Sequence, residues 1–285
     1  MKFYGIVINR DLKDNNGGSL VIDHHLHALE ELGHQTGLLS LYQVIPEDAD
    51  FVIFQSEWTR AIAHLKNTKA KKICWLGHFK PDSKFLMPDI QTINADYYIT
   101  QWKGECVQWA EQQLGKKIHY LPHNGCLCNL NGENIEAPRV LFIGTDHSER
   151  KKDWLDYSEV TRIACPHEQA KNYYRSAIAC PNLHGDFQKN IVTEFQGIPG
   201  EMINDRIFNT ILAGGFAISD NTPIVKEFFS EDEVPYAKDK EHFKWMIDYF
   251  SANPDERIPY MEKSKARILR EHLYTHKWEE YLKTL

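Results

Sequence analysis

No stretch of this 285-residue chain is apolar over the roughly 20 residues that a bilayer-spanning helix needs, which argues against a helical membrane segment. The first residues lack the charged-then-apolar order of a secretory leader, so a cytoplasmic protein without a membrane partner is expected. Cysteine is scarce. Six residues scattered without framework spacing fit a reducing compartment. Cys126 and Cys128, with His123 nearby, form the one close thiol group. A metal site there lacks a second ligand pair, so a tight reduced loop is expected. Positive charge is also short: the formal net charge is -7 and the pI about 6.1, which excludes a surface that grips nucleic acid all round and leaves room only for a local basic patch. There is no low-complexity segment with the composition of a disordered tail.

A GxGxxG dinucleotide fingerprint is missing too. The Gly17-Gly18 pair after the first strand means only that the backbone turns sharply or that something sits close to it. Two apparent metal motifs have simpler readings. Of His24, His25 and His27 beside Asp23, only His24 and His27 share a helix face, so one packed and two exposed histidines are expected. Asp48-Ala49-Asp50 lies at the entrance of a strand, whereas ligands of open α/β sheets gather at the carboxyl ends, so it reads as a solvated turn.

What is present is alternation. Apolar strand runs at residues 3–9, 36–41, 51–54, 73–76, 97–100 and 118–121 are separated by helical or loop segments, including helices expected at 19–32, 58–65 and 103–114. This is the pattern of a doubly wound parallel sheet. Residues 123–138, rich in Asn and Gly, read as a linker. The pattern then restarts with strands at 140–143, 162–165, 177–180 and 216–218, an edge segment at 235–237, and amphipathic helices to the end. The expected organisation is a first domain over 1–122, a linker over 123–138 and a second domain over 139–285, with the terminal helices packing back toward the first.

Residues 198–220 concentrate the chemistry. Gly200 frees the backbone before Glu201, Asn204 or Asp205 can cap a helix, and Ile207, Phe208, Ile211 and Leu212 recur at helical spacing. Gly214-Gly215 ends that helix and turns it into a buried strand. A helix amino end at the edge of an α/β sheet collects anionic and polyhydroxyl ligands. Earlier, Gly144-Thr145 and Asp146 follow a strand and lead to Arg150, Lys151 and Lys152, basic residues placed to neutralise a diphosphate. His78, after the strand at 73–76, is placed to face a cleft as a base, with a structural role as the alternative.

The order of motifs resembles the GT-B glycosyltransferases, specifically the group 1-type CgeB-like proteins and their phage-encoded relatives. The likeness is carried by residues 140–145 followed by Arg150, by Asn204-Asp205-Arg206-Ile207-Phe208 running through Ala213-Gly214-Gly215 to Asp220, and by Glu271-His272-Leu273-Tyr274. Leu121-Pro122-His123-Asn124-Gly125 adds a vaguer match in the first half. The resemblance implies an α/β fold of the GT-B kind, two Rossmann-like doubly wound domains facing across a cleft. It implies a glycosyltransferase that moves a sugar from a nucleotide-sugar, UDP-linked, to a hydroxyl acceptor. No cofactor is implied, and no metal, since a helix terminus and cations take its place. Glu201 and Asn209 match the spacing of the superfamily's Glu-x7-Glu pair, with an amide at the second position. By this resemblance Glu201 contacts the donor sugar and Asn209 the ribose. Arg150, Lys151, Gly200 and the Glu201 backbone meet the diphosphate, while His78 or His24 is the acceptor-side base. Gly17, Gly18, Gly144, Asp146, Asn204 and Arg206 complete the expected binding set.

The acceptor stays open between a glycan, a protein, a small molecule and hydroxymethylated bases of phage DNA. The basic run at 66–72 with Trp58 and Arg60 supports DNA as a phosphate-tracking face, although residues 1–122 are nearly neutral, with thirteen basic and fourteen acidic side chains. Two other classes share the donor half: an epimerase or hydrolase of the nucleotide-sugar, and a non-catalytic nucleotide-sugar-binding protein, the latter motivated by Asn209.

Overall fold

The computed structural model describes the chain except for residues 9–16, 59–61, 78–85, 145–148, 157–158 and 185–200, and except for the side chains of a few residues bordering them. It divides into two compact units. The first holds Met1–Pro122, Glu201, Met202 and Lys277–Leu285; the second holds residues 123–184 as described, and Ile203–His276.

The first unit is a six-stranded parallel sheet: β1 (Lys2–Val7), β2 (Gln35–Ser40), β3 (Phe51–Gln55), β4 (Lys71–Trp75), β5 (Tyr97–Thr100) and β6 (Ile118–Tyr120) in the order β2-β1-β3-β4-β5-β6. Among its described residues, α1 (Gly17–Glu31), α2 (Leu86–Ile93) and α3 (Glu105–Leu114) are the helices that alternate with these strands. The central strand β3 is buried along its whole length, as a Phe-Val-Ile-Phe run covered on both faces should be. Phe3 stacks on Phe51 at 4.8 Å, and Trp278 closes that layer edge-on to Phe3 at 6.1 Å. The Trp278 indole N–H also donates to His25 Nδ1 at 3.1 Å, tying the C-terminal segment to α1.

Three local expectations change. Of the helix expected at 58–65, residues 59–61 lie outside the described residues, and the parts on either side fall in 3-10 turns at Ser56–Trp58 and Ala63–Asn67. Helix α2 was hidden by Pro88, which falls in its first turn, where the missing N–H costs nothing. His24 and His25 are both buried, at 0% and 1% exposure, and only His27 reaches the surface, where it lies 3.6 Å from Asp23. The Asp48–Asp50 turn behaves as read: Asp48 pairs with Lys2, and Asp50 accepts the Lys2 amide at 2.8 Å.

The second unit builds β7 (Val140–Ile143), β8 (Val160–Ile163), β9 (Cys180–Asn182), β10 (Ala217–Asp220) and β11 (Tyr236–Ala237). All pairs are parallel, β8 with β7 and β9-β10-β11 in turn, and a parallel bridge between Val140 and Ala179 joins β7 to the segment leading into β9. Around them lie α4 (Glu149–Leu155), α5 (His167–Ser176), α6 (Asp205–Ala213), α7 (Pro223–Phe228), α8 (Lys240–Ala252) and α9 (Ile258–Glu271); α10 (Tyr274–Leu282) follows, and from Lys277 onward it belongs to the first unit. The strand expected at 177–180 slides to 180–182 because Pro181, ordinarily a strand breaker, is accommodated inside β9.

Residues 123–138 do more than connect. The amides of Asn131 and Gly132 donate to the carbonyls of Leu212 and Ala213, both at 3.0 Å, and so satisfy the orphan acceptors at the end of α6. Asn131 reaches that position with a φ of 55°, a conformation asparagine tolerates. In the same segment Cys126 and Cys128 are joined as a disulfide rather than left reduced, their Cα atoms lying 5.2 Å apart, within the span such a bond requires.

Candidate active site at the strand ends of the second unit

The carboxyl ends of β7, β9 and β10 converge on the amino end of α6. Every residue of α6 from Arg206 to Ala213 is buried, with Ile207, Phe208, Ile211 and Leu212 in the apolar core, so the helix is fixed as a rigid element. Its first turn carries Arg206, whose guanidinium lies over the Phe142 ring at 4.3 Å and whose Nε donates to the Ile143 carbonyl at 2.7 Å. Arg206 is 9% exposed, and its buried Nη1 has no hydrogen-bond partner among the described residues. Gly144 follows at φ 138°, and a Cβ there would stand 2.3 Å from Arg206 Nη2. Glycine is needed twice over, for the backbone angle and for the space that the arginine fills.

Beside it, His184 and Asp220 are both 0% exposed. Asp220 Oδ2 accepts the His184 backbone N–H at 2.9 Å, and Oδ1 lies 2.7 Å from His184 Nδ1. His184 Nε2 accepts the backbone N–H of Asn204 at 3.4 Å. Asn204 occupies the N-cap position of α6, yet its side chain does not cap: the amide nitrogen donates to the Leu183 carbonyl at 3.0 Å. The expectation that Asn204 caps the helix is corrected, because its amide is committed to the end of β9. The first-turn N–H groups of α6 therefore receive no hydrogen bond from their N-cap side chain.

Around Arg206 the surroundings are dry. Burial pushes the Cys180 thiol up to about 12, with the arginine's charge working against the rise. The Tyr174 phenol is likewise raised by burial, partly offset by Arg206. A charge held in such surroundings acts more strongly on a bound anion than one in water.

The other expected residues fall as follows. Asn209 is 5% exposed and its Oδ1 accepts the Asn129 amide at 2.9 Å. One of the two lone pairs of that oxygen is therefore committed to Asn129. Glu201 belongs to the first unit, where it forms a two-bond antiparallel bridge with Lys103, each amide donating to the other's carbonyl at 3.0 Å, with the side chains 3.9 Å apart. Gly17 opens α1, and a Cβ on Gly18 would stand 1.9 Å from Gln55 Oε1, so close packing explains that glycine. His24, with no exposed surface, does not reach an acceptor hydroxyl in this conformation, and the base role is withdrawn from it. Lys151 is half-buried on α4. His78, Asp146 and Gly200 lie outside the described residues, as does the side chain of Arg150. Sequence reasoning passed over His184 and Asn129. The available signal was a polar residue closing each of two successive apolar runs, His184 after Leu183 and Asp220 after Ile218-Ser219.

A parallel α/β unit with a buried arginine near a helix amino end at its strand ends is an arrangement suited to anionic ligands. Residues 126–283 match the model of the family described as glycosyl transferase-like, and the chain belongs to that family. No curated protein matches it in sequence. Among solved structures it is similar to sucrose-phosphate synthase from Thermosynechococcus elongatus, with a TM-score of 0.60, 9% identity, and 99% of this chain and 98% of that one covered. It is also similar to T4 phage BGT in complex with its UDP-glucose substrate, at 0.66 and 12%, covering 100% and 99%. A third is an alpha-glucosyltransferase in complex with UDP and a 13-mer DNA containing an HMU base, at 0.67 and 9%, covering 99% and 98%. The T4 phage enzyme is also represented in complex with UDP and Mn2+. The fold is that of the GT-B glycosyltransferases, and the protein is a glycosyltransferase.

Proposed function

We propose that the protein transfers a sugar from a UDP-linked donor to a hydroxyl acceptor, with the donor's diphosphate held at the amino end of α6 by Arg206. The observation that carries this is the buried guanidinium, whose Nη1 has no hydrogen-bond partner among the described residues, set in the first turn of α6, where the Asn204 side chain does not cap the helix. As the bond between the sugar and the diphosphate breaks, negative charge grows on the leaving oxygen. A fixed cation and helix amides aimed there lower the barrier more than they tighten ground-state binding. Arg150, Lys151 and the Gly200 backbone are assigned to the same charge, Gly144 and Asp146 to the adjoining loop, Glu201 to hydroxyls of the donor sugar and His78 to the acceptor's proton. Asn209 keeps a supporting role through Asn129. Gly17 and Gly18 are assigned to the acceptor side.

On this reading no metal is needed, because Arg206 and the helix supply the positive charge. Transfer should then persist in EDTA and gain little from Mn2+. Among acceptors, hydroxymethylated bases of DNA are supported by the neighbour seen with modified DNA. The basic run at 66–72 supports it less than its composition suggests. The run precedes β4, at the amino edge of the sheet, and Lys71 is held 5.7 Å from the rings of Phe51 and Tyr97.

Incubation with labelled UDP-sugars, with and without hydroxymethylcytosine DNA, tests the reading. Transfer to DNA supports it in full. Turnover without acceptor favours an epimerase or hydrolase, and binding alone a non-catalytic protein. Failure to bind any nucleotide-sugar would sink it.

A further inference from the structure

We propose that the buried His184–Asp220 pair is a positioning device for the donor's diphosphate, holding the imidazole in one tautomer that sets the first turn of α6. The inference rests on the donor reading above and goes beyond it by assigning two residues that touch neither sugar nor nucleotide.

The tautomer follows from the partners at each end of the ring. A backbone N–H can only donate, so the contact between Asn204 N and His184 Nε2 requires a lone pair on Nε2. A carboxylate can only accept, so Asp220 Oδ1 at 2.7 Å from Nδ1 requires the proton there. The two demands agree. Asp220 is itself oriented by the His184 backbone N–H on its other oxygen. The chain of contacts thus runs from the end of β10 through the ring at the end of β9 to the residue that begins α6. Arg206 stands two residues further on.

Burying such a pair is expensive, and an apolar pair of similar volume would often be as stable. What an apolar pair could not do is accept the Asn204 amide. With that N–H taken by His184 and the Asn204 side-chain nitrogen taken by Leu183, the α6 amino end is fixed at both points, and its first-turn amides receive no bond from the Asn204 side chain. The first turn, with Arg206 on it, is then held before a ligand arrives, and little ordering remains to be done on binding.

Asp220→Asn separates positioning from bulk stability because it preserves shape. If the amide oxygen keeps the His184 backbone N–H, its nitrogen must donate to Nδ1. The ring proton then moves to Nε2 and confronts the Asn204 N–H, donor against donor. Three measurements decide: histidine nitrogen NMR for the tautomer, titration calorimetry with UDP and with inorganic pyrophosphate, and urea unfolding. In the wild type, Nδ1 should be protonated and Nε2 bare. In Asp220→Asn the tautomer should invert, and affinity for both UDP and pyrophosphate should fall by about tenfold or more while the variant remains folded. A wild-type ring protonated at Nε2 would overturn the proposal, and needs no variant to fold. So would an inverted tautomer with unchanged UDP affinity, which would make the pair structural only. A wild type that binds neither UDP nor pyrophosphate overturns the donor reading and the positioning role together. That outcome is distinct from failure of the pair alone, in which the wild type binds and the variant binds equally.

Discussion

Gly144 and Arg206 explain each other. The glycine's φ of 138° lies where a side chain is strained, and the arginine's Nη2 fills the place of the missing Cβ at 2.3 Å. Gly144→Ala should therefore cost about 1–3 kcal/mol in urea unfolding, and it should weaken UDP binding as well, because the guanidinium must move. An alanine that is neutral in both respects would show that the arginine is not seated as described. The Asn129–Asn209 contact makes a different kind of claim, since both amides are buried and face each other. Truncating either to alanine should cost about 1–3 kcal/mol by stranding its partner. A double-mutant cycle should return a coupling of about 0.5–1.5 kcal/mol, and a coupling near zero would mean the two act independently.

At the scale of the element, α6 carries the site, and its two ends do opposite work. The carboxyl end is closed by Gly214 at φ 85°, where a Cβ would meet Arg175 Nη1 at 2.2 Å, and by amides from residues 131 and 132. The amino end is left without a side-chain cap. Arg206→Lys keeps the charge but gives up the planar stack on Phe142 and the Nε bond to Ile143, so UDP affinity should fall about tenfold or more. Calorimetry that finds the lysine variant equal to wild type would remove Arg206 from the diphosphate. Much of this helix was legible beforehand. The apolar spacing of Ile207, Phe208, Ile211 and Leu212, the Gly214-Gly215 stop and the following buried strand are local signals, and all appear. The parallel sheet of the first unit was legible as well, because fully apolar runs such as Phe51 to Phe54 suit strands buried on both faces. What could not be read were pairings between distant residues: Asn129 with Asn209, Asp220 with His184, Arg206 with the end of β7. Each depends on which strand ends become neighbours, and sequence spacing does not encode that. Of the two residues expected to cap α6, Asn204 and Asp205, the first fails as a cap for the same reason, since its amide nitrogen donates to Leu183, just past the end of β9.

At the scale of the whole molecule, the first unit carries a pH dependence that can be followed. The first unit contains His34 and His119, both held below the usual imidazole value of 6.5. For His34 the cause is burial, followed by the N-terminal amino group; for His119 it is burial and then Lys117, with Glu111 opposing. A histidine depressed in the folded state binds fewer protons than its unfolded counterpart. Its contribution to stability is therefore complete above the unfolded value of 6.5 and is lost as pH falls through that value toward the folded one. Asp23 and Glu31 are raised by burial and act in the opposite sense, but their window opens near their ordinary values of 3.8 and 4.5. A scan kept between about pH 7.5 and 5.5 spans the ordinary histidine value. Urea unfolding followed over that range should show the first unit weakening as pH falls. His119→Phe preserves a ring against Tyr281, whose centroid lies 4.8 Å away, while removing the titration. It should flatten the slope without lowering stability at the upper end. If the variant and the wild type lose stability in parallel, the acid sensitivity of this unit belongs to groups other than His119.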